Sequence, residues 1–150
     1  MVENELEAAL VEFVQRAVSE FRLPVQNGAP RAPVVVSGYL PPKRSGESDD
    51  FPFVIVRTES AETDREQTVA TVALIVGCYS TEFDGYKYCQ NVVTRIRDAF
   101  GMLENGALAR KYILQYPLKW KTPGEQAYPL WQIDMETQWA FKAPEIQFET

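Results

Sequence analysis

The chain is 150 residues long, 45% hydrophobic and 24% charged, with a net charge of −6. That length fits one domain whose core needs no staples, and the composition excludes a disordered tail, a collagen-like repeat and a disulfide miniprotein. The acidic balance lacks the basic surplus needed to grip nucleic acid. No apolar stretch reaches the roughly 18 residues of a membrane span, so a soluble protein is expected.

The first ten residues, MVENELEAAL, are acidic and amphipathic, unlike a secretory leader. Residues 5–22 place Leu6, Leu10, Phe13, Val14, Ala17 and Phe21 at helical spacing, which predicts an amphipathic helix stopped by Pro24 and Asn27-Gly28. APVVVSGYL, residues 32–40, reads as a short strand bounded by prolines. PPKRSGESDD, residues 41–50, has no large apolar side chain and reads as an exposed, mobile loop. FPFVIVR, residues 51–57, is a β-branched run, with Pro52 at the strand's beginning or on an edge. TESAETDREQ, residues 58–67, reads as a second charged connection.

Val69 to Tyr79 is apolar on both alternating sets, as in a central strand covered on both sides. Asp84 is placed to cap a second helix, whose stripe is Cys89, Val92, Val93, Ile96, Phe100 and Leu103. Asn105-Gly106 suits a left-handed cap. In residues 112–120 and 131–141, apolar side chains alternate with Gln, Lys, Asp and Glu, around a loop holding Pro123-Gly124 and Pro129. That pattern predicts a long C-terminal β-hairpin. Keeping the apolar residues on one face requires paired numbers with an odd sum. A sum of 253 pairs Trp120 with Ile133, Leu118 with Met135, Leu114 with Trp139 and, on the other face, Lys119 with Asp134. Strands of that length reach roughly 35 Å, so part of the hairpin is expected to project. The predicted fold is a single α+β domain, a mostly antiparallel sheet with two main helices packed on it.

The search for chemistry is largely eliminative. The chain has no histidine, which removes the usual proton shuttle and the commonest metal ligand. Neither GxxxxGK[ST] nor GxGxxG occurs. A Ser–Lys nucleophile would have to use Lys43-Arg44-Ser45, in a loop that fixes no geometry. Cys89 lies on an apolar stripe and, with Cys78, reads as a buried thiol, a disulfide being the alternative. Asp134 and Glu136 point the same way from one strand, as a solvated face or as an acid–base or metal pair. No enzyme activity and no cofactor are expected. Large aromatic side chains remain as contact surface: Tyr39, Tyr86, Trp120, Tyr128, Trp131 and Trp139. Trp139 is assigned to the core, whereas Trp120, Tyr128 and Trp131 flank the hairpin tip, where interface and core both remain open. Lys43 and Arg44 in one charged loop, and Asp64 and Arg65 in the other, are candidate interface residues.

Three segments together carry a resemblance: FPFVIVRTESAETD, then VATVALIVGCYSTEFDGYKYCQNVVTRIRDAF, then YILQYPLKWKTPGEQAYPLWQIDMETQWAFKAPEI. The arrangement is similar to the small tail-terminator (tail-completion) and head–tail connector proteins of long-tailed phages and prophages. The resemblance implies a structural protein that forms a ring, typically a homo-hexamer, capping the tail tube and making the surface for head joining. Its partners would be itself, the tail tube protein and the head–tail connector protein. It would act in the virion tail, after assembly in the host cytoplasm. DNA would slide through without specific binding, since a negatively lined channel repels phosphates; Asp134 and Glu136, or else the acidic loop residues, are the candidates to face that channel, and Lys119 and Lys121 would mix its sign. The alternatives are a head-completion or neck protein of the same particle, and a small carboxylate-dependent hydrolase.

Overall fold

In the computed structural model, which describes residues 2–39 and 51–142, both amphipathic segments form helices on one face of a six-stranded sheet. Helix α1 (Val2–Val18) points Leu6, Leu10, Val14 and Val18 into the core, every fourth residue, all with no exposed surface. It ends four residues before the expected stop, and Phe21 lies beyond it, its ring beneath the Arg95 guanidinium. Helix α2 (Tyr86–Gly101) buries Cys89, Val92, Val93, Ile96 and Phe100, as its stripe predicts. Asp84 does not cap it. Gly85 is the N-cap, with no side-chain bond, and the Asp84 carboxylate instead meets Lys87 at 3.3 Å. Asn105 and Gly106 are both left-handed, but they shape a short 3₁₀ turn after the helix rather than its own end.

The strands are β1 (Val34–Ser37), β2 (Phe53–Thr63), β3 (Gln67–Tyr79), β4 (Ala107–Leu108), β5 (Tyr112–Lys121) and β6 (Leu130–Lys142), in sheet order β1-β2-β3-β6-β5-β4. Only β1 and β2 run parallel. The domain is therefore α+β with a mostly antiparallel sheet, as expected. β2 continues to Thr63, so residues 58–63 are strand, and the connection to β3 shrinks to the turn at Asp64–Glu66. The long run 41–50, with Lys43 and Arg44, lies outside the described residues.

One face of the sheet carries the core. Val54 and Val56, then Val72, Leu74 and Val76, then Ile133, Met135 and Trp139, all face the helices with 1% exposure or less. Phe100 of α2 joins α1 to β6, stacking on Phe13 (5.3 Å) and meeting Trp139 edge-on (5.4 Å), contacts worth about 0.5–1.5 kcal/mol each beyond the area they bury. The Trp139 indole N–H donates to Thr137 Oγ1 (2.8 Å), and the Thr137 hydroxyl donates to the Val72 carbonyl (3.0 Å). Cys78 and Cys89 are buried free thiols, not a disulfide.

Among the described residues the opposite face has no helix. On β3 its residues Val69, Thr71, Ala73 and Ile75 are half-buried, so β3 is central in the sheet yet, among the described residues, covered by helices on one side only. The apolar small residues on this face are flanked by charged ones on neighbouring strands, which misleads a reading of β3 by itself.

The C-terminal hairpin starts in the expected register, with Leu114 opposite Trp139, then shifts by two residues between Gln115 and Lys119. Pro117, which has no amide to donate, sits in the shifted stretch. Beyond it Trp120 faces Met135, Lys119 faces Glu136 and Lys121 faces Asp134. A shift of two preserves the face of every side chain, so the odd-sum rule survives while the individual pairs near the tip do not. Nor does the hairpin project: β6 is paired with β3 from Leu130 to Lys142.

Candidate functional site

The bare face of the curled sheet forms an open groove of about 820 Å³. Its floor is Ala73 and Ile75, and its walls carry Arg57 and Glu59 from β2, Asp134 and Glu136 from β6, and Lys119 and Lys121 from β5. Strand alternation puts these ions here: Arg57, Asp134 and Glu136 each lie one residue away from a core position, and Glu59, Lys119 and Lys121 share their face through the same alternation and ladder pairing. Register then sets Lys119 opposite Glu136 and Lys121 opposite Asp134 across the β5–β6 ladder, so that unlike charges face each other along the groove.

Arg57 is held most firmly. Its Nε donates to the Gly38 carbonyl (2.9 Å), and its guanidinium lies 3.9 Å from the centre of the Tyr39 ring, which is 73% exposed. Asp134 accepts from the Gln132 side-chain amide (2.9 Å). The groove is thus a mixed-charge, solvent-open surface with small apolar patches, suited to broad contact with a charged or polymeric surface. Among the described residues no three acidic or thiol side chains gather to hold a metal ion.

The other expected interface residues do not form one patch. Trp120 is 47% exposed and lies on the helix side of β5, its ring centre 6.0 Å from the Arg97 guanidinium. Trp131 is half-buried and tied down: its indole N–H donates to the Ser80 carbonyl (3.0 Å), and Tyr86 and Tyr128 both pack against it at 6.1 Å. Tyr128 exposes its ring, while its hydroxyl donates to the Thr81 carbonyl (2.8 Å). These last two therefore brace the β6 entry against the start of α2. Gly85 is needed there, because a Cβ at that position would stand 2.5 Å from Trp131 Nε1.

Asp64 sits at the far end, in the β2–β3 turn. Its carboxylate accepts the Glu66 and Gln67 amides (2.7 and 2.8 Å). Those two bonds, to Gln67 and to Glu66, hold its pKa below the usual carboxylate value. Arg65 lies beside it, exposed. Tyr39 is among the expected contact aromatics, but Arg57 escapes a sequence reading because residues 51–57 read as a complete strand, whereas β2 continues to Thr63. The useful signal was the phase of Arg57 with Phe53 and Ile55, opposite to Val54 and Val56.

No protein-family model matches the chain, and no curated protein matches it at a significant level.

Proposed function

We propose that this chain is a structural subunit of a long-tailed phage or prophage particle. It is a tail-terminator-like protein that assembles with copies of itself, as a homo-hexamer, into a ring capping the tail tube and offering the surface for head joining. One observation carries the proposal: among the described residues the sheet is one-sided, with helices packed on one face and a concave, ion-lined surface on the other. A ring subunit needs such a division, one face for its own core and one turned toward the channel or the tube. In this arrangement Asp134 and Glu136 face the opening, and Lys119 and Lys121 hold them in a balanced surface along which DNA slides without being bound specifically. Capping follows from burying the last tube ring's free edges, so that no further tube protein adds.

The test is assembly. Light scattering coupled to size exclusion, with negative-stain images, is expected to show a ring alone or on addition of tail tube protein. Particles lacking the product are expected to carry overlong tails. A strictly monomeric protein both alone and with tube protein, or particles of normal tail length without it, would defeat the proposal. Normal tails that fail to join heads would instead place the protein in the neck.

A further inference from the structure

The two sides of the sheet end in complementary steps. β1 covers β2 only from Phe53 to Val56, so among the described residues the outer edge of β2 from Thr58 to Thr63 has no strand beside it. At the far side β4 covers β5 only at Tyr112 and Ile113, so among the described residues the outer edge from Leu114 to Lys121 has no strand beside it. Following the ladders across the sheet gives the heights. Val56 is level with Leu74, Met135 and Trp120, Ser60 with Thr71, Gln138 and Gln115, and Glu62 with Val69, Ala140 and Ile113. One side therefore protrudes by a strand at the height of β1 and is recessed above it. The other protrudes at the height of β4 and is recessed below.

Direction and charge agree with the outline. β2 and β5 run in opposite directions. A second copy set alongside, same face forward, thus brings the end of its recessed β5, Trp120 and Lys121, antiparallel beside Val36 and Ser37 of the first copy's β1, the pairing that sheets favour. The recessed arm of β2 and its turn carry Glu59, Glu62, Asp64 and Glu66 against Arg65 alone. The opposite side carries Arg110, Lys111, Lys119 and Lys121. The acidic turn stands at the height of the β4–β5 turn, where Arg110 is exposed, has φ 59° and makes no ion pair among the described residues.

We infer that copies of this chain associate head to tail, the β1–β2 side of one against the β4–β5 side of the next, so that the sheet continues from subunit to subunit. Such a contact is heterologous and closes into a ring when the rotation between copies permits. The number of copies rests on the ring proposed above; the contact itself does not.

The experiment is site-directed cross-linking of the full chain carrying Ser60→Cys and Gln115→Cys, which lie on the same face at the same height. A bis-maleimide of about 10 Å reach matches two strand spacings, and native Cys78 and Cys89, fully buried, do not compete. Head-to-tail contact gives a ladder of multimers from the double variant and only monomer from each single variant. Dimer from a single variant would show two-fold pairing and overturn the inference, as would no ladder at protein concentrations up to about 1 mM. As a second arm, Glu62→Lys with Glu66→Lys is expected to weaken association at least about tenfold, and Arg110→Glu added to that variant to restore it. Unchanged association in the first variant would overturn the charge pairing. Rings that form without the 60–115 link would sink this contact and leave the ring subunit standing. A ladder that never closes, in a protein that does not cap tubes, would keep the contact and sink the proposed function.

Discussion

Thr137→Val is the most informative single substitution in the core. It conserves shape and removes one oxygen that serves two partners: the Trp139 indole N–H, with no exposed surface, and the Val72 carbonyl of the neighbouring strand. A buried donor stripped of its acceptor costs about 1–3 kcal/mol, and the extra methyl in a packed site recovers only part of that. A loss of about 2 kcal/mol corresponds to a fall in Tm of roughly 4–8 °C for a chain of this size. Thr137→Ser keeps the oxygen and loses a methyl, for about 0.8 kcal/mol. Urea unfolding followed by far-UV circular dichroism measures both variants. The decisive comparison is a cycle with Trp139→Phe: without the indole N–H, the penalty of Thr137→Val should shrink by about 1 kcal/mol or more. If Thr137→Val is as stable as the parent, or costs the same with and without the indole, the hydroxyl is not the acceptor that Trp139 depends on.

Three further outcomes follow from local geometry. Gly85→Ala drives a methyl into the Trp131 ring and Ser80, and is expected to cost about 1–3 kcal/mol and to alter the near-UV spectrum as the Trp131–Ser80 bond is lost. Asp64 has a lowered pKa in the folded chain, so its contribution to the β2–β3 turn is present above its unfolded value of 3.8 and is lost as pH falls through the folded one. Protection of the Glu66 and Gln67 amides, relative to their intrinsic exchange at the same pH, should therefore fall on acidification below about pH 4, and be low already at neutral pH in Asp64→Ala, with the rest of the sheet unchanged. Hydrogen bonding to Cys89 and burial push the Cys78 thiol far above its ordinary pKa. Ellman's reagent at pH 8 should accordingly react with neither Cys78 nor Cys89 until denaturant unfolds the chain.

The elements that proved legible are those whose periodicity reports their own burial. The stripes of α1 and α2 and the alternation Ile133, Met135, Thr137, Trp139, Phe141 each contain their answer, because one face meets the core along the whole element. TESAET was not legible as strand. With Glu59 to Thr63 exposed it has no hydrophobic alternation, and among the described residues the strand that pairs with it and holds it extended is β3. The face of Asp134 and Glu136 could be read from alternation, but of their partners only Lys119 opposite Asp134 follows from the expected register; the two-residue shift near Pro117 sets Lys121 opposite Asp134 and Lys119 opposite Glu136. The anchoring of Trp131 could not be read, since Ser80 is 51 positions away. A tryptophan near a hairpin tip looks the same in sequence whether it awaits a partner or braces its own domain.

The distribution of charge along the sheet edges bears on which assemblies are possible. An open strand edge invites pairing with any other, and chains usually blunt it with charge of a single kind, often lysine. Here the signs are opposite on the two sides, with acids on the β2 arm and bases along β4–β5. Like edges repel, so two-fold pairing of β2 with β2 or of β5 with β5 is disfavoured by the same side chains that draw β2 toward β5 of another copy. Raised ionic strength would screen attraction and repulsion alike, so salt should erode the preference for head-to-tail order and not merely the affinity. A net charge of −6 describes the chain poorly in this respect. What governs association is the separation of sign across the width of one sheet, and only the order of its strands brings that out.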